Sequence, residues 1–327
     1  MTRFVIRRLL LLIPFMFAIS VVSFAIIQLP PGDYVDTYVR NLEMQGGAVN
    51  QAQIDALRAR YGLDQSLLTQ YWLWISNVLT GDFGNSFLYD RPVGQVLAER
   101  VPRTAALAII SMLVTWMIAV PVGIYSALRQ YSVGDHLATF LSFIGVAVPP
   151  FLLALVAMYF VFDNTGFLIT GLYSPEYRGA EWSIGKLLDL VKNTWLPVMV
   201  LAITGSAGVI RVLRSSLLDE LNKLYVTTAR SKGLPEHKVI LKYPVRIAIN
   251  PLISTIGWML PAMVGGEVVV SQVLNLPTIG PVLLEATIAQ DMFLTGAIVL
   301  ILSALTVVGT LVSDILLAAI DPRIRYQ

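Results

Sequence analysis

The sequence has no cysteine, only two histidines and few charged residues. Without cysteine, no disulfide bond, thiolate metal site or cysteine nucleophile can form. Charged residues make up 13% of the chain and hydrophobic residues 56%, and the mean hydropathy is +0.71. Because soluble proteins carry about 25% charged residues, this composition predicts an integral membrane protein.

Motifs for nucleotide binding and hydrolysis are also missing. A P-loop has the pattern G-x-x-x-x-G-K-[ST]; in the nearest segment, GAEWSIGKL, Gly179 and Gly185 are one residue too far apart and Leu follows Lys186. The sequence contains neither an H-E-x-x-H zinc motif nor a nucleophile elbow. We therefore expect a chain that is not an enzyme, that holds no metal or nucleotide, and whose work is powered by another protein. No nucleic acid partner is expected.

Six apolar stretches are each long enough to cross a bilayer, which takes about 20 residues. The first stretch follows three arginines but is too long for the apolar region of a signal peptide, so we expect it to be retained. Together they predict an all-α integral membrane protein with six transmembrane helices. The predicted spans are Leu9–Leu29, Thr104–Leu128, Leu137–Phe162, Leu196–Leu213, Pro251–Leu274 and Phe293–Ile320.

Basic residues concentrate at both ends of the chain and in alternate loops, whereas acidic residues dominate the other loops. Since Lys and Arg are retained on the cytoplasmic side of a membrane, both termini are expected in the cytoplasm. The chain then divides into four parts. These are the N-terminal end with the first span (residues 1–30), a small extracytoplasmic helical insertion (31–103), a membrane core (104–320) and a cytoplasmic tail (321–327).

The extracytoplasmic insertion is predicted to contain two short helices. Asn50 is placed to cap the first helix and Gly62 to end it, and Asp64 is placed to cap the second. The helix pair could be a lid packed on the membrane domain or a docking surface for an external partner. One apolar face is expected on the second helix, formed by Leu68, Tyr71, Trp72, Ile75 and Leu79.

The segment Thr227–Arg246, here called the basic hairpin, carries five basic residues among apolar sequence. A loop made basic only by the orientation of the chain would look similar, but two details argue for more. Ala229 and Gly233 are four residues apart, a spacing that places two small residues on one helix face. Gly233, Leu234 and Pro235 then interrupt the helix once before an apolar pattern resumes. We expect two short helices joined by one break.

The basic hairpin resembles the coupling loop of the permeases of bacterial ABC importers, in particular the dipeptide and oligopeptide family. YVTTARSKGL is similar to that family's Y-V-x-x-A-R-x-K-G-L, with Ala229 and Gly233 at the spacing of its E-A-A-x-x-x-G loop. The resemblance covers the whole chain. Its other segments are the opening RRLLLLIPFMFAISVVSFAIIQLPPGD, GDFGNS (Gly81–Ser86), VAVPPF (Val146–Phe151) and DPRIRY (Asp321–Tyr326).

This resemblance implies a five-helix permease core with an N-terminal helix outside it, in the bacterial inner membrane. The implied partners are a second, related permease subunit, two P-loop ATPases and an extracytoplasmic substrate-binding protein. The ATPases would bind ATP and Mg²⁺, and this chain would hold no cofactor. Within a coupling hairpin spanning residues 218–247, the residues that would contact an ATPase are Thr227, Thr228, Ala229, Arg230, Lys232, Gly233, Leu234 and Pro235.

After the fifth span the sequence departs from the peptide-type pattern, which has an acid before a P-G-[LI]-G turn. Here Ser271 stands at the place of the acid, Thr278 replaces the first glycine, and Glu267 lies earlier. Related permeases handle oligosaccharides. The expected substrate is therefore a di- or oligopeptide, with an oligosaccharide as the alternative.

Glu267 lies about midway along the fifth span, where an acid is expected to face the bundle interior or a water-filled path. One hypothesis is that Glu267, Ser271 and Gln272 line the translocation path near the outer gate; a structural hydrogen bond to a neighbouring helix is the alternative. Near the end of the fourth span, Arg211 and Arg214 are expected to reach the interface with their long side chains.

Two other classes of membrane protein fit less well. A transporter driven by an ion gradient would carry paired acids at mid-membrane in repeated halves, and no such repeat is present. An intramembrane hydrolase needs a nucleophile and a base among the spans, whereas both histidines fall in predicted cytoplasmic segments.

Overall fold

A computed structural model describes residues 2–28, 35, 39, 51–61, 64–86 and 88–320 of the chain. Its described part is almost entirely helical, which confirms the predicted all-α fold. Two short strands, β1 (Asn85–Ser86) and β2 (Arg91–Pro92), pair antiparallel. The helices are α1 (Thr2–Gln28), α2 (Gln51–Tyr61), α3 (Leu67–Leu79), α4 (Val93–Leu128), α5 (Val133–Ala147), α6 (Pro150–Thr165), α7 (Ile184–Leu221), α8 (Leu224–Ser231), α9 (Glu236–Lys242), α10 (Pro244–Ala248), α11 (Asn250–Val273), α12 (Ile279–Ile288) and α13 (Met292–Ile320).

Five helical segments among the described residues are long and apolar enough to cross a membrane, and a sixth span exists if one bent helix pair is counted as a single crossing. The bent pair is α5 and α6, which meet at 106°. The sequence predicted one span there, Leu137–Phe162; the structure divides it into two helices, which make one span if the bent pair is a single crossing. The reason is local: Pro149 and Pro150 lack backbone N–H groups, and a residue before proline avoids the helical conformation, so Val148 is extended with ψ 122°.

The described residues divide into two compact units. The first contains Met1–Val5, Thr104–Gly280 and Thr306–Gln327, as far as these are described, and the second contains Ile6–Arg103 and Pro281–Leu305 on the same terms. The fourfold division predicted from the sequence stays a prediction. The segments around Asn50, Gly62 and Asp321–Tyr326 lie outside the described residues.

The core of the first unit forms around the middle of α7. This helix has 38 residues, a length of about 57 Å at 1.5 Å per residue, so it is longer than the hydrocarbon layer of about 30 Å. Ser183 caps its start by accepting a hydrogen bond from the Lys186 amide at 3.2 Å. The buried residues of this core are Leu107, Ala154, Ile169, Leu196, Val198, Val200, Leu201, Val270, Leu274 and Leu276.

In the second unit, α3 packs against α1. Ser66, and not the predicted Asp64, caps α3 by accepting from the Thr69 amide at 3.4 Å. The predicted apolar face is not the side of α3 that packs: the buried residues are Gln70, Tyr71 and Trp74, whereas Leu68, Trp72 and Leu79 are exposed. Apolar residues occur on all sides of α3, so their spacing in the sequence does not show which side packs against the protein.

The GDFGNS segment forms a turn in the second unit. Gly81 and Gly84 both have positive φ, a conformation that favours glycine, and a Cβ on Gly84 would lie 3.0 Å from the Phe293 ring. Ser86 donates a hydrogen bond to the buried Asp291 at 2.5 Å. Through this bond the GDFGNS segment is attached to the loop between α12 and α13.

Candidate functional site

The basic hairpin folds as two short helices, α8 and α9, around a small apolar core. Val226, Ala229 and Val239 are buried in this core, and Tyr225 and Tyr243 pack against it. Lys232 is the C-cap of α8, and Pro235 precedes the first residue of α9. The two helices predicted from the sequence are thus confirmed, and their shared core allows them to move as one body.

Ala229 and Gly233 do not share a helix face, because α8 ends at Ser231. Gly233 has φ 74° and donates its amide to the carbonyl of Arg230 at 2.9 Å. This is the left-handed position that commonly follows a helix and favours glycine. A Cβ at Gly233 would meet no atom within 4 Å, so the backbone conformation favours glycine here and close packing does not.

The residues of the predicted ATPase contact divide between the surface and the core of the hairpin. Ala229 is only 6% exposed and packs inside. The exposed members are Thr227, Thr228, Arg230, Lys232, Gly233, Leu234 and Pro235. They follow α8 and the turn into α9, so the hairpin exposes two basic side chains beside threonine hydroxyls and the apolar Leu234 and Pro235.

Glu236 is part of this surface and was not predicted. Arg230 Nη2 lies 2.6 Å from Glu236 Oε1, and Arg230 Nε lies 3.1 and 3.2 Å from the two carboxylate oxygens. This ion pair closes the break between α8 and α9. Both side chains are exposed, so water and salt screen the pair and it adds little to stability. The sequence signal for it was an acid at the first turn of a helix, where the helix dipole favours negative charge.

The hairpin is tied to long helices at both ends. Tyr225 donates a hydrogen bond to Glu220 Oε2 of α7 at 2.5 Å, and burial together with this bond raises the pKa of the Tyr225 hydroxyl. On the other side, only Tyr243 separates α9 from α10 and only Ile249 separates α10 from α11. Pro244 and Pro251 stand in the first turns of α10 and α11 and account for these breaks.

Arg214 of α7 does not simply extend to the interface as predicted. Its guanidinium makes two hydrogen bonds to Asp135 of α5, with Nε to Oδ1 at 3.1 Å and Nη2 to Oδ2 at 3.0 Å. Asp135 is 2% exposed and also accepts the amide of Tyr131 at 2.9 Å. Arg211, one turn earlier, is exposed. The pair therefore fixes the start of α5 against α7.

Glu267 lies in a buried polar cluster at the end of α11. It is 1% exposed, and its Oε1 accepts a hydrogen bond from Ser271 at 2.8 Å. The hydroxyl of Thr278 lies beside the carboxyl. Within the described part of the chain, Glu267 Oε2 and Thr278 Oγ1 make no hydrogen bond. The structure thus brings together the two positions, Ser271 and Thr278, at which the sequence departs from the peptide-type pattern.

The third residue predicted for the path lies apart from this cluster. Gln272 is exposed, whereas Ser271 is fully buried. The bonded partner of Glu267 is one turn away on its own helix and not on a neighbouring helix. The turn after α11 folds back tightly on the helix. Gly280 lies so near Val268 that a Cβ on Gly280 would be 2.6 Å from the Cα of Val268. This close approach brings Thr278 to Glu267.

Sequence models of two related families match the chain. The family described as "Binding-protein-dependent transport system inner membrane component" matches residues 119–326, and "Binding-prot-dependent transport system membrane comp, N-term" matches residues 1–108. The chain is 36% identical to the oligopeptide transport system permease protein AppB of Bacillus subtilis over 327 residues, with 100% of both chains covered. It is 33% identical to the glutathione transport system permease protein GsiC of Salmonella paratyphi A over 328 residues, again with 100% of both covered.

A solved structure of the MetNI methionine ABC transporter in an inward-facing conformation has a similar fold. The TM-score is 0.55 at 16% sequence identity, and the match covers 69% of this chain and 97% of that chain. At this identity the likeness concerns the fold alone.

Proposed function

We propose a substrate and a set of partners from one premise: the chain belongs to the family of binding-protein-dependent transport system inner membrane components, the permease subunits of ABC importers. The resemblance found in the sequence is thereby confirmed, and the chain is a multi-pass inner membrane protein. The proposed substrates are di- and oligopeptides. The observation that carries this proposal is the full-length similarity to an oligopeptide permease at 36% identity.

The complete importer is proposed to contain this chain, a second homologous permease, two P-loop ATPases and an extracytoplasmic substrate-binding protein. ATP and Mg²⁺ belong to the ATPases, and this chain has no enzymatic activity or cofactor of its own. The lack of a P-loop in the sequence supports this division of work. Both termini and the basic hairpin are proposed to be cytoplasmic, because in these segments ten basic residues stand against two acidic ones.

The basic hairpin is proposed to be the element on which an ATPase acts. The residues proposed to contact it are the exposed Thr227, Thr228, Arg230, Lys232, Gly233, Leu234 and Pro235, with Ala229 supporting them from inside. The shared core of α8 and α9 and the single-residue breaks before α10 and α11 support this role. A displacement of a rigid hairpin can then pass to α7 and α11 as a rigid-body motion.

Glu267, Ser271 and Gln272 are proposed to belong to the translocation path near its outer end. An acid within a span is expensive to bury and commonly marks a substrate or ion pathway. The support from the structure is that the Glu267 side chain is buried among the hydroxyls of Ser271 and Thr278. Opening of the turn between α11 and α12 would give these groups polar partners.

The test is the ATPase activity of the complex purified through this chain and reconstituted in lipid. Binding protein loaded with a tri- to pentapeptide mixture is expected to stimulate ATP hydrolysis several-fold over unloaded binding protein. Stimulation by a malto-oligosaccharide series instead would overturn the peptide assignment but keep the importer. If no P-loop ATPase co-purifies, the proposed partners are wrong.

A further inference from the structure

Helix α3, in the segment between the first two spans, exposes large apolar side chains and carries no charge. Leu68, Trp72 and Leu79 are 69%, 60% and 82% exposed. The thirteen residues of the helix, LLTQYWLWISNVL, contain no Asp, Glu, Lys or Arg. An exposed apolar patch of this kind marks an interaction surface, and the absence of charge argues against a surface that is wetted by water.

The packed face of α3 lies against the membrane-spanning part of α1. Tyr71 shares a hydrogen bond of 2.8 Å with Ser20, and its ring centroid is 6.2 Å from that of Phe17 and 5.5 Å from that of Phe24. Ser20 is eight residues before Gln28, the last residue of α1, which corresponds to about 12 Å along the helix. Half of the hydrocarbon layer is about 15 Å thick. The Tyr71 hydroxyl therefore lies at the depth of the acyl chains.

The exposed face of α3 continues an apolar surface on α1. Only 11% of the apolar window of α1 is buried, and Ile13, Phe17 and Val22 are 63%, 56% and 57% exposed. In a membrane-spanning helix, such side chains contact lipid. Because α3 is packed on the same helix at the same depth, its outward side chains face the same medium.

Four polar side chains of α3, those of Thr69, Gln70, Tyr71 and Ser76, make hydrogen bonds within the protein. Ser76 Oγ donates to the carbonyl of Leu73 at 2.8 Å, and Gln70 bonds to Gln28 at 2.8 Å. Thr69 shares a hydrogen bond of 3.0 Å with the capping Ser66. Internal hydrogen bonding is what a helix requires in hydrocarbon, where an unsatisfied polar group costs several kcal/mol.

We propose that α3 is a lipid-binding helix, immersed in the leaflet that contains the C-terminal end of α1. Leu68, Trp72 and Leu79 contact lipid acyl chains, and Trp72 lies with them below the headgroups. The α3 surface is thus part of the membrane-embedded protein and is neither a lid on the membrane domain nor a docking surface for an external protein. The substrate-binding protein must dock elsewhere.

The test places a nitroxide spin label at single cysteines in the reconstituted complex. The chain has no cysteine, so Leu68→Cys, Trp72→Cys and Leu79→Cys each provide one labelling site when the partner subunits are cysteine-free. Glu181→Cys, on an exposed loop residue, serves as the aqueous control. Accessibility to oxygen, which concentrates in hydrocarbon, is compared with accessibility to water-soluble nickel chelate in phosphatidylcholine bilayers.

Labels on α3 are expected to be more accessible to oxygen than to the nickel chelate, with the opposite ranking at position 181. The proposal is overturned if the chelate reaches all three α3 labels as readily as position 181. It is also overturned if all three labels are immobile and shielded from both reagents, because a protein subunit then covers the face. Immobilisation of these labels only when binding protein is added would instead identify a docking surface.

Discussion

Asp135 is a buried carboxylate with one partner from a distant helix and one from the turn before its own helix. Arg214 binds it through two hydrogen bonds, and the Tyr131 amide provides a third. Breaking a buried ion pair by removing one partner is strongly destabilising, because the other charge remains unpaired. The side chain of Arg214 is 29% exposed and that of Asp135 only 4% exposed. The cost therefore depends on which partner is removed.

Replacing Arg214 with methionine is expected to destabilise the protein by on the order of 3 kcal/mol, since it leaves the Asp135 carboxylate buried and unpaired. Asp135→Asn should cost less, because the freed guanidinium can reach water. The measurement is the midpoint of thermal unfolding of the purified complex. Arg211→Met, an exposed arginine one turn away, is the matched control and should have little effect. Equal losses for Arg211 and Arg214 would contradict the structural role of the pair.

The variant Glu267→Gln tests whether this residue belongs to the proposed translocation path. In Glu267→Gln the side-chain carbonyl can still accept from Ser271, and the amide can donate to the nearby Thr278 hydroxyl, so the complex should assemble with unchanged stability. Peptide uptake in proteoliposomes should fall several-fold while ATP hydrolysis continues, because the charge is lost from the path. Glu181→Gln makes the same change on the exposed loop and should transport normally. Unchanged uptake and coupling in Glu267→Gln would remove Glu267 from the path.

The function proposed for the basic hairpin depends on the turn between α8 and α9. Gly233 follows α8 with φ 74° and open space around it. Asp and Asn both tolerate this left-handed conformation better than other side chains, so the two substitutions differ mainly in charge. Comparing them separates a change in backbone conformation from a change at a contact surface.

Gly233→Asp is expected to reduce stimulation of ATP hydrolysis by loaded binding protein at least several-fold, because it places a negative charge on the proposed ATPase contact. Gly233→Asn should retain most of the stimulation. Gly166→Asp, at another helix end with φ 67° and open space, is the control for strain alone. Wild-type behaviour of Gly233→Asp would show that this turn does not touch an ATPase, and an equal loss in both Gly233 variants would indicate a purely conformational effect.

Helix breaks in this protein follow from proline more than from apolar pattern. The apolar stretch from Leu137 to Phe162 is long enough for one span, yet Pro149 and Pro150 divide it into α5 and α6 at 106°. Pro244 is the first residue of α10, and Pro251 is the second residue of α11. Apolar length therefore predicted the existence of these elements, and the prolines determined their directions.

For the whole molecule, the orientation in the membrane is still a prediction from the distribution of charge. The Glu181→Cys variant, left without a spin label, also reports on it, because a free thiol outside the cell membrane should react with an impermeant maleimide in intact cells. Lys238→Cys in the basic hairpin should react only after the cells are opened. The orientation matters for mechanism, since ATPases can act only on a cytoplasmic hairpin.

The sequence by itself determined the class of the protein, the position of most spans and the two-helix form of the basic hairpin. These features depend on apolar length, on charge and on local helix breakers, which are all properties of neighbouring residues. The motif around Ala229 and Gly233 identified the family, although the packing reason first attached to it was wrong. A short motif was sufficient to recognise the family, because the conformation of the turn depends only on neighbouring residues.

Only the tertiary structure decided which side chains meet across long sequence distances. Asp135 and Arg214 are 79 residues apart, and no periodicity in either helix indicates their pairing. Thr278 reaches Glu267 because the turn after α11 folds back on the helix, and Tyr71 and Trp74 form the packed face of α3 because α1 presents Phe24 to them. Such contacts depend on how helices are placed against one another, and an apolar or polar residue can satisfy its local pattern in several placements.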